Sequence, residues 1–154
     1  MTDKEHPLPD LHEAAAMRRA ELSAEWPTAA QAGLAMGIDA EDASQLVTGL
    51  RKQGTLLGVY VTEPKHHWRY PRWQFDTEHR PIVRFAGILA ILREHGNYLD
   101  DQGRTTGWGE VEWFLSAHVL LDDRAPCEVV QEDPDAVLEA ARVEYVEESN
   151  EGGF

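Results

Sequence analysis

Ala43, Leu46, Val47 and Leu50 recur at i, i+3, i+4 and i+7, the spacing of one buried stripe on an α-helix. Asp39 stands before them as a cap, Asp42 puts negative charge near the end of the dipole that favours it, and Gly54 stops the helix. The side opposite the stripe carries Glu41, Gln45, Thr48 and Lys52. The segment before it opens on Thr28-x-x-Gln31, a capping box. Its alanines at 29, 30, 32 and 35 allow close approach by a neighbouring helix, and Gly37 supplies a left-handed stop. An earlier helix is predicted from Asp10, with Glu13 as capping partner and Leu11, Ala15, Leu22 and Trp26 on one face. Pro27 ends it at Trp26, because the residue before a proline avoids helical geometry.

The period then changes from 3.6 to 2. Leu57, Val59 and Val61 alternate with Gly58, Tyr60 and Thr62, which predicts a strand. Residues 63–67 form a loop, and Trp68-Arg69-Tyr70 alternates again as the return strand. Two short helices joined by a Gly-containing turn form a helix-turn-helix. A hairpin directly behind them has the layout of its winged form.

After a polar linker at 76–81 the pattern is helical again. Ile82 to Glu94 is apolar nearly all round, which predicts a central, buried helix. A helix over Gly109 to Ser116 places Val111, Phe114 and Leu115 inward. Pro126 opens a short helix reaching Val130. Asp133-Pro134-Asp135 starts a last one, with Val137, Leu138, Ala141 and Tyr145 on its stripe. The expected fold is mainly α with a small β-hairpin (α+β): an arm at 1–9, a helix-turn-helix with hairpin wing at 10–75, a helical bundle domain at 80–146 and an acidic tail at 147–154.

Charge sharpens this division. The chain has 154 residues and a net charge of −14, about one ordinary domain. Residues 51–84 hold seven of its 14 basic side chains and three acids, a local net charge of +4. Residues 1–50 carry −6 and residues 85–154 carry −12. Trp68, Tyr70, Trp73 and Phe75 are interleaved with this basic island. Such a patch in an acidic protein is a candidate phosphate-binding surface; the plainer alternative is a solvated hairpin whose aromatics belong to the core. Gln45, Thr48 and Lys52 are the expected base readers, and Arg51, Lys65, Arg69 and Arg72 the expected phosphate contacts or wing.

Other chemistry fits less well. His66-His67 are adjacent and point apart, with no third metal ligand at suitable spacing. Ser116 and His118 lack a nucleophile elbow and an orienting acid. Glu110, Glu112 and Asp122-Asp123 read as surface charges. Cys127 is alone, so no disulfide is expected; a first-turn position could lower its pKa, but a plain small core residue is the favoured reading. No metal, cofactor or catalytic residue is expected. With no long apolar run and no signal peptide, no membrane association is expected and the chain reads as cytoplasmic.

Trp113-Phe114-Leu115-Ser116, Leu120-Leu121, Arg124-Ala125-Pro126, Val129-Val130 and Asp133 to Ala141 together resemble the Xre/MbcA/ParS-type antitoxin toxin-binding domain. Arg69-Tyr70-Pro71-Arg72-Trp73-Gln74-Phe75 is similar to a segment joining that domain to a DNA-binding module in one branch. Asp122-Asp123 stand where that family usually has a Gly-containing turn. The resemblance implies an antitoxin, without catalysis, that dimerises, represses its own operator DNA and neutralises a cognate RES-type toxin through its C-terminal half. The partner surface expected is Trp113, Leu121, Pro126 and the tail from Tyr145 to Phe154, because an exposed aromatic anchor and a foldable tail are the usual sources of binding energy; core packing is the alternative for some of these, and Trp113 suits either place. The alternatives are a stand-alone regulator whose helical half only dimerises, and an adaptor that no longer binds DNA.

Overall fold

The computed structural model describes residues 11–147. It is mainly helical with one two-stranded antiparallel sheet. The elements are α1 (Leu11–Ser23), α2 (Ala29–Ala35), α3 (Ala40–Lys52), β1 (Val59–Val61), β2 (His67–Arg69), α4 (Phe85–His95), α5 (Trp108–Leu115), α6 (Pro126–Val129) and α7 (Pro134–Ala141). Short 3-10 turns lie at Arg72–Gln74 and Val119–Leu121, and a π-helical stretch, Arg142–Glu147, continues α7. Asp10, the arm at 1–9 and the tail beyond 147 lie outside the described residues.

Local chemistry explains the helix pair. Both halves of the Thr28 capping box form: the Gln31 backbone N–H donates to the Thr28 hydroxyl at 3.2 Å, and the Thr28 N–H to the Gln31 side chain at 2.9 Å. Gly37 takes the turn at φ +89°. α2 and α3 meet at Gly33, where a Cβ would lie 2.6 Å from the Cβ of Ala43. No larger residue fits there without moving a helix.

Two clusters of buried side chains sit on either side of the hairpin. The smaller joins Ala32, Val47, Leu56, Tyr70 and Phe75, with Leu50 and Trp68 packed against it. The larger gathers Trp26, Val59, Val61, Phe85, Leu89, Phe114, Val130 and Val137 among others. Val59 pairs with Arg69 and Tyr60 with Trp68. Because successive strand residues face opposite sides, Val59, Val61 and Arg69 share one face and Trp68 the other. Gln74, fully buried, clamps the boundary. Its amide donates to the Leu57 and Pro71 carbonyls at 2.8 and 3.0 Å and accepts from the Leu57 N–H at 2.8 Å. β1 is also tied to the C-terminal half: Tyr60 N–H donates to the Thr106 carbonyl at 2.9 Å, and the Trp108 indole to the Tyr60 carbonyl at 2.8 Å. The hairpin therefore belongs to both halves.

Several expectations need correction. α1 ends at Ser23, whose hydroxyl donates to the Arg19 carbonyl at 2.7 Å. Leu11 is 87 % exposed and Leu22 is also exposed; α1 lies against the body through half-buried alanines, and only Trp26, beyond its end, enters the core. Leu46 is exposed, leaving Ala43 and Val47 as the fully buried part of its stripe. β2 begins at His67 and ends at Arg69. α4 starts at Phe85, because Arg84 is held at φ +83°. Its buried side is Phe85, Ile88, Leu89 and Leu92, whereas Ala86 and Ala90 are exposed, as is Val83 just before it. Leu115 is 40 % exposed rather than inward. Asp122 and Asp123 adopt φ +58° and +63°, backbone that glycine takes without steric cost.

Candidate nucleic-acid interface

α3 displays Glu41, Gln45 and Lys52 to solvent. Thr48 is half-buried. Arg51 lies over the Trp68 ring at 3.7 Å from the centroid and donates through Nε to the Tyr70 hydroxyl at 3.2 Å. Gly58 makes room for this arginine: a Cβ there would come within 2.6 Å of its Cδ. Burial pushes the Tyr70 phenol pKa up, against the lowering effect of the Arg51 hydrogen bond and charge. The cation–π contact and the hydrogen bond together lock the end of α3 to the hairpin.

The basic island is divided by the sheet. Arg51 sits on the α3 side, Lys65 is at the exposed hairpin tip, and Lys52 ends α3. Arg69 points to the other face, where its Nη1 donates to the Trp26 carbonyl at 2.9 Å. Arg72 donates to the Glu25 carbonyl. Both arginines line a cleft beside α2. They are therefore not on the α3 side with the expected base readers, and the single patch read from the sequence resolves into two. Nor are the interleaved aromatics stacking platforms. Tyr70 and Phe75 are buried, and Trp73 packs on Phe114 with centroids 4.7 Å apart. Trp68, half-buried, carries Arg51.

Carboxylate pairing separates the two halves of the chain. Among the described residues, none of Arg51, Lys52, Lys65, Arg69, Arg72 and Arg80 has a carboxylate within 4.0 Å, whereas every arginine from Arg84 onward does. Arg84 pairs with Asp135 at 2.9 Å, Arg93 with Glu110 at 2.9 Å, Arg104 with Asp100 at 3.4 Å, Arg124 with Glu128 and Glu132, and Arg142 with Glu139 at 3.3 Å. Glu110 is thus not a surface charge. It is fully buried and also accepts from the Thr105 hydroxyl at 3.0 Å.

The expected partner residues are mostly interior. Trp113, Leu121 and Pro126 are buried and Tyr145 is half-buried; Phe154 lies outside the described residues. The Trp113 indole donates to Glu144 at 2.9 Å, and His118 joins it. Its Nδ1 accepts from the Leu120 N–H at 3.1 Å, so Nε2 carries the proton directed to Glu144 at 2.8 Å. Tyr145 meets Tyr98 hydroxyl to hydroxyl at 3.1 Å, and burial foremost raises the pKa of both phenols. The exposed apolar residues near this end are Leu115, Val119 and Leu120; the Val119-Leu120 step before two aspartates is the signal in the sequence for them.

Ser116 donates to the Glu112 carbonyl at 2.8 Å and not to His118. His66 meets the Tyr60 hydroxyl and His67 the Lys65 carbonyl. Cys127 is half-buried, and burial with the nearby Glu128 charge pushes its thiol pKa up, contrary to the first-turn expectation. Among the described residues, no group of three His, Cys, Asp or Glu side chains could hold a metal, and no helix is long and apolar enough to cross a membrane.

Neither the protein-family models nor the curated proteins nor the solved structures compared with this chain give a match.

Proposed function

We propose that the protein is a DNA-binding antitoxin. It acts by binding and not by catalysis, represses its own operon as a dimer, and neutralises a RES-type toxin by direct contact. The observation that carries the DNA half is the set of cations without carboxylate partners on and beside a helix pair backed by a hairpin. In this reading α2, α3 and β1–β2 are a winged helix-turn-helix, with Gln45 as base reader and Lys52, Lys65 and Arg51 on phosphates. An amide can pair with an adenine edge in the major groove, and a Lys with guanine or phosphate. Thr48, half-buried, is less open to a base edge than Gln45.

The toxin half rests on the resemblance of residues 113–141 and on charge. Residues 85–154 carry −12, which suits a basic protein partner and repels phosphate. With Trp113, Leu121 and Pro126 buried, the contact surface in a helical C-terminal bundle passes to Leu115, Val119 and Leu120, together with Asp122, Asp123 and the tail. Their burial also gives weight to a second reading, a stand-alone regulator whose C-terminal half only dimerises. Two experiments test the proposal. A gel shift on DNA upstream of the gene, at low salt, gives a retarded complex; no shift by the wild type removes the DNA half. Co-expression with the neighbouring gene product restores growth and gives a co-purifying complex. Repression without either effect favours the stand-alone regulator.

A further inference from the structure

Beside α2, where the two clusters meet, a cleft of about 790 Å³ is lined by Trp26 and Ile82 from the larger cluster, by Ala32 and Phe75 from the smaller, and by Arg69 and Arg72. Its volume is in the range of pockets that enclose small molecules, roughly 300–1,000 Å³. Gln45, Lys52 and Lys65 do not line it. Arg69 is half-buried, and its Nε is buried with no hydrogen-bond partner. Its Nη1 meets only a neutral carbonyl, that of Trp26. Arg93 is also half-buried, yet it has the carboxylate of Glu110 at 2.9 Å. Withdrawing a guanidinium from water is costly when only neutral groups face it. The two acids that line the cleft do not relieve this. Asp76 turns one oxygen to the backbone N–H groups of Glu78 and Arg80, and Glu25 meets Arg72 through its carbonyl, not its carboxylate.

We propose that this cleft binds a small organic anion, with its carboxylate on Arg69 and Arg72 and its apolar body against Trp26, Phe75 and Ile82. Glu25 and Asp76 disfavour a polyanion there, so the ligand carries a single negative group. The ligand bridges the two halves of the chain, since Ala32 and Ala35 come from α2 and Ile82 and Gln131 from beyond the hairpin. The site stands whether or not the protein is an antitoxin.

Isothermal titration of the full chain tests it with 2-naphthoate, its neutral amide and inorganic phosphate. Arg72 and Ala35 are both exposed, so Arg72→Gln and Ala35→Trp leave the core intact. Naphthoate is expected to bind with a Kd of ~1 mM or tighter. Naphthoate binds the Arg72→Gln variant about tenfold more weakly, since one of its two charge-assisted contacts is gone, and the amide binds the wild type at least as weakly, since its neutral head takes the charge from both. Ala35→Trp fills the cleft and removes binding. No naphthoate binding, equal binding of acid and amide, or unchanged affinity in either variant overturns the proposal. So does phosphate binding as tightly as naphthoate, because the apolar body then contributes nothing.

Discussion

The two halves of this chain treat positive charge in opposite ways. From Arg84 onward each arginine is neutralised by the chain's own carboxylates. From Arg51 to Arg80 the cations meet a ring, a phenol and carbonyls, or water. Exposed ion pairs contribute little to stability, roughly 0–1 kcal/mol each. Under the proposed function, pairing of the exposed arginines in the C-terminal half cancels their attraction for phosphate. The lack of pairing in the hairpin module leaves its charge available. Net charge alone misses this distinction, because availability depends on what stands within a few ångströms of each nitrogen.

The strongest way to break the comparison is at Arg93, the cation most firmly held. Glu110→Ala leaves it half-buried without a carboxylate. Losing one partner of a buried pair costs about 3–5 kcal/mol, and chemical denaturation should register a loss near the lower end, since Arg93 keeps some solvent access. A loss below about 1 kcal/mol would mean that water already compensates Arg93.

Next in size is Gly33→Val, which forces α2 away from Ala43. Overpacking of this kind costs about 1–3 kcal/mol. It also displaces α3, so DNA binding should fall further than stability does. Stability unchanged in the thermal melt would show that the helices part easily.

Gln45→Glu adds a second carboxylate, beside that of Glu41, to the solvent-facing side of α3 that carries Lys52. DNA affinity measured by fluorescence anisotropy should drop about tenfold or more, with the fold unchanged, because a base reader is removed and phosphate is repelled. Equal affinity would take Gln45 out of the interface.

The smallest effect is expected at Asp100. The backbone N–H of Arg104 foremost, then that of Gln102 and the Arg104 charge, hold its carboxyl below the ordinary range against an opposing desolvation. A depressed folded-state pKa stabilises above the unfolded value of ~3.9 and is lost as pH falls through the folded value. The stability gap between wild type and Asp100→Asn should therefore narrow on acidification from pH 6 towards pH 2. A gap independent of pH would contradict the assignment.

Much of the architecture is legible from sequence. Thr28 and Gln31, Gly37, the Val59–Val61 alternation and Asp133-Pro134 each encode their element locally, through a cap, a turn or a period. The site is less so. That Arg69 and Trp68 face opposite sides follows from strand alternation, but only the identity of the packing partners shows which face meets α3. Trp113 reads equally as an exposed anchor or as core, because an amphipathic side chain is compatible with either place; Glu144, 31 residues on, supplies its acceptor. Glu110 and Glu112 look alike in the sequence, and only the position of Arg93 makes one of them internal. Gln74 is readable as a lone amide in an aromatic run, the kind of residue buried to satisfy backbone groups.

The salt dependence of DNA binding tests the central claim most directly. Removing one cation that neutralises a phosphate should reduce the slope of log K against log salt by ~0.9. The account predicts a slope shallower by about 2 for Lys52→Ala with Lys65→Ala and a slope equal to wild type for Arg104→Ala with Arg124→Ala. An equal reduction from both pairs, or a reduction from the C-terminal pair alone, would contradict it.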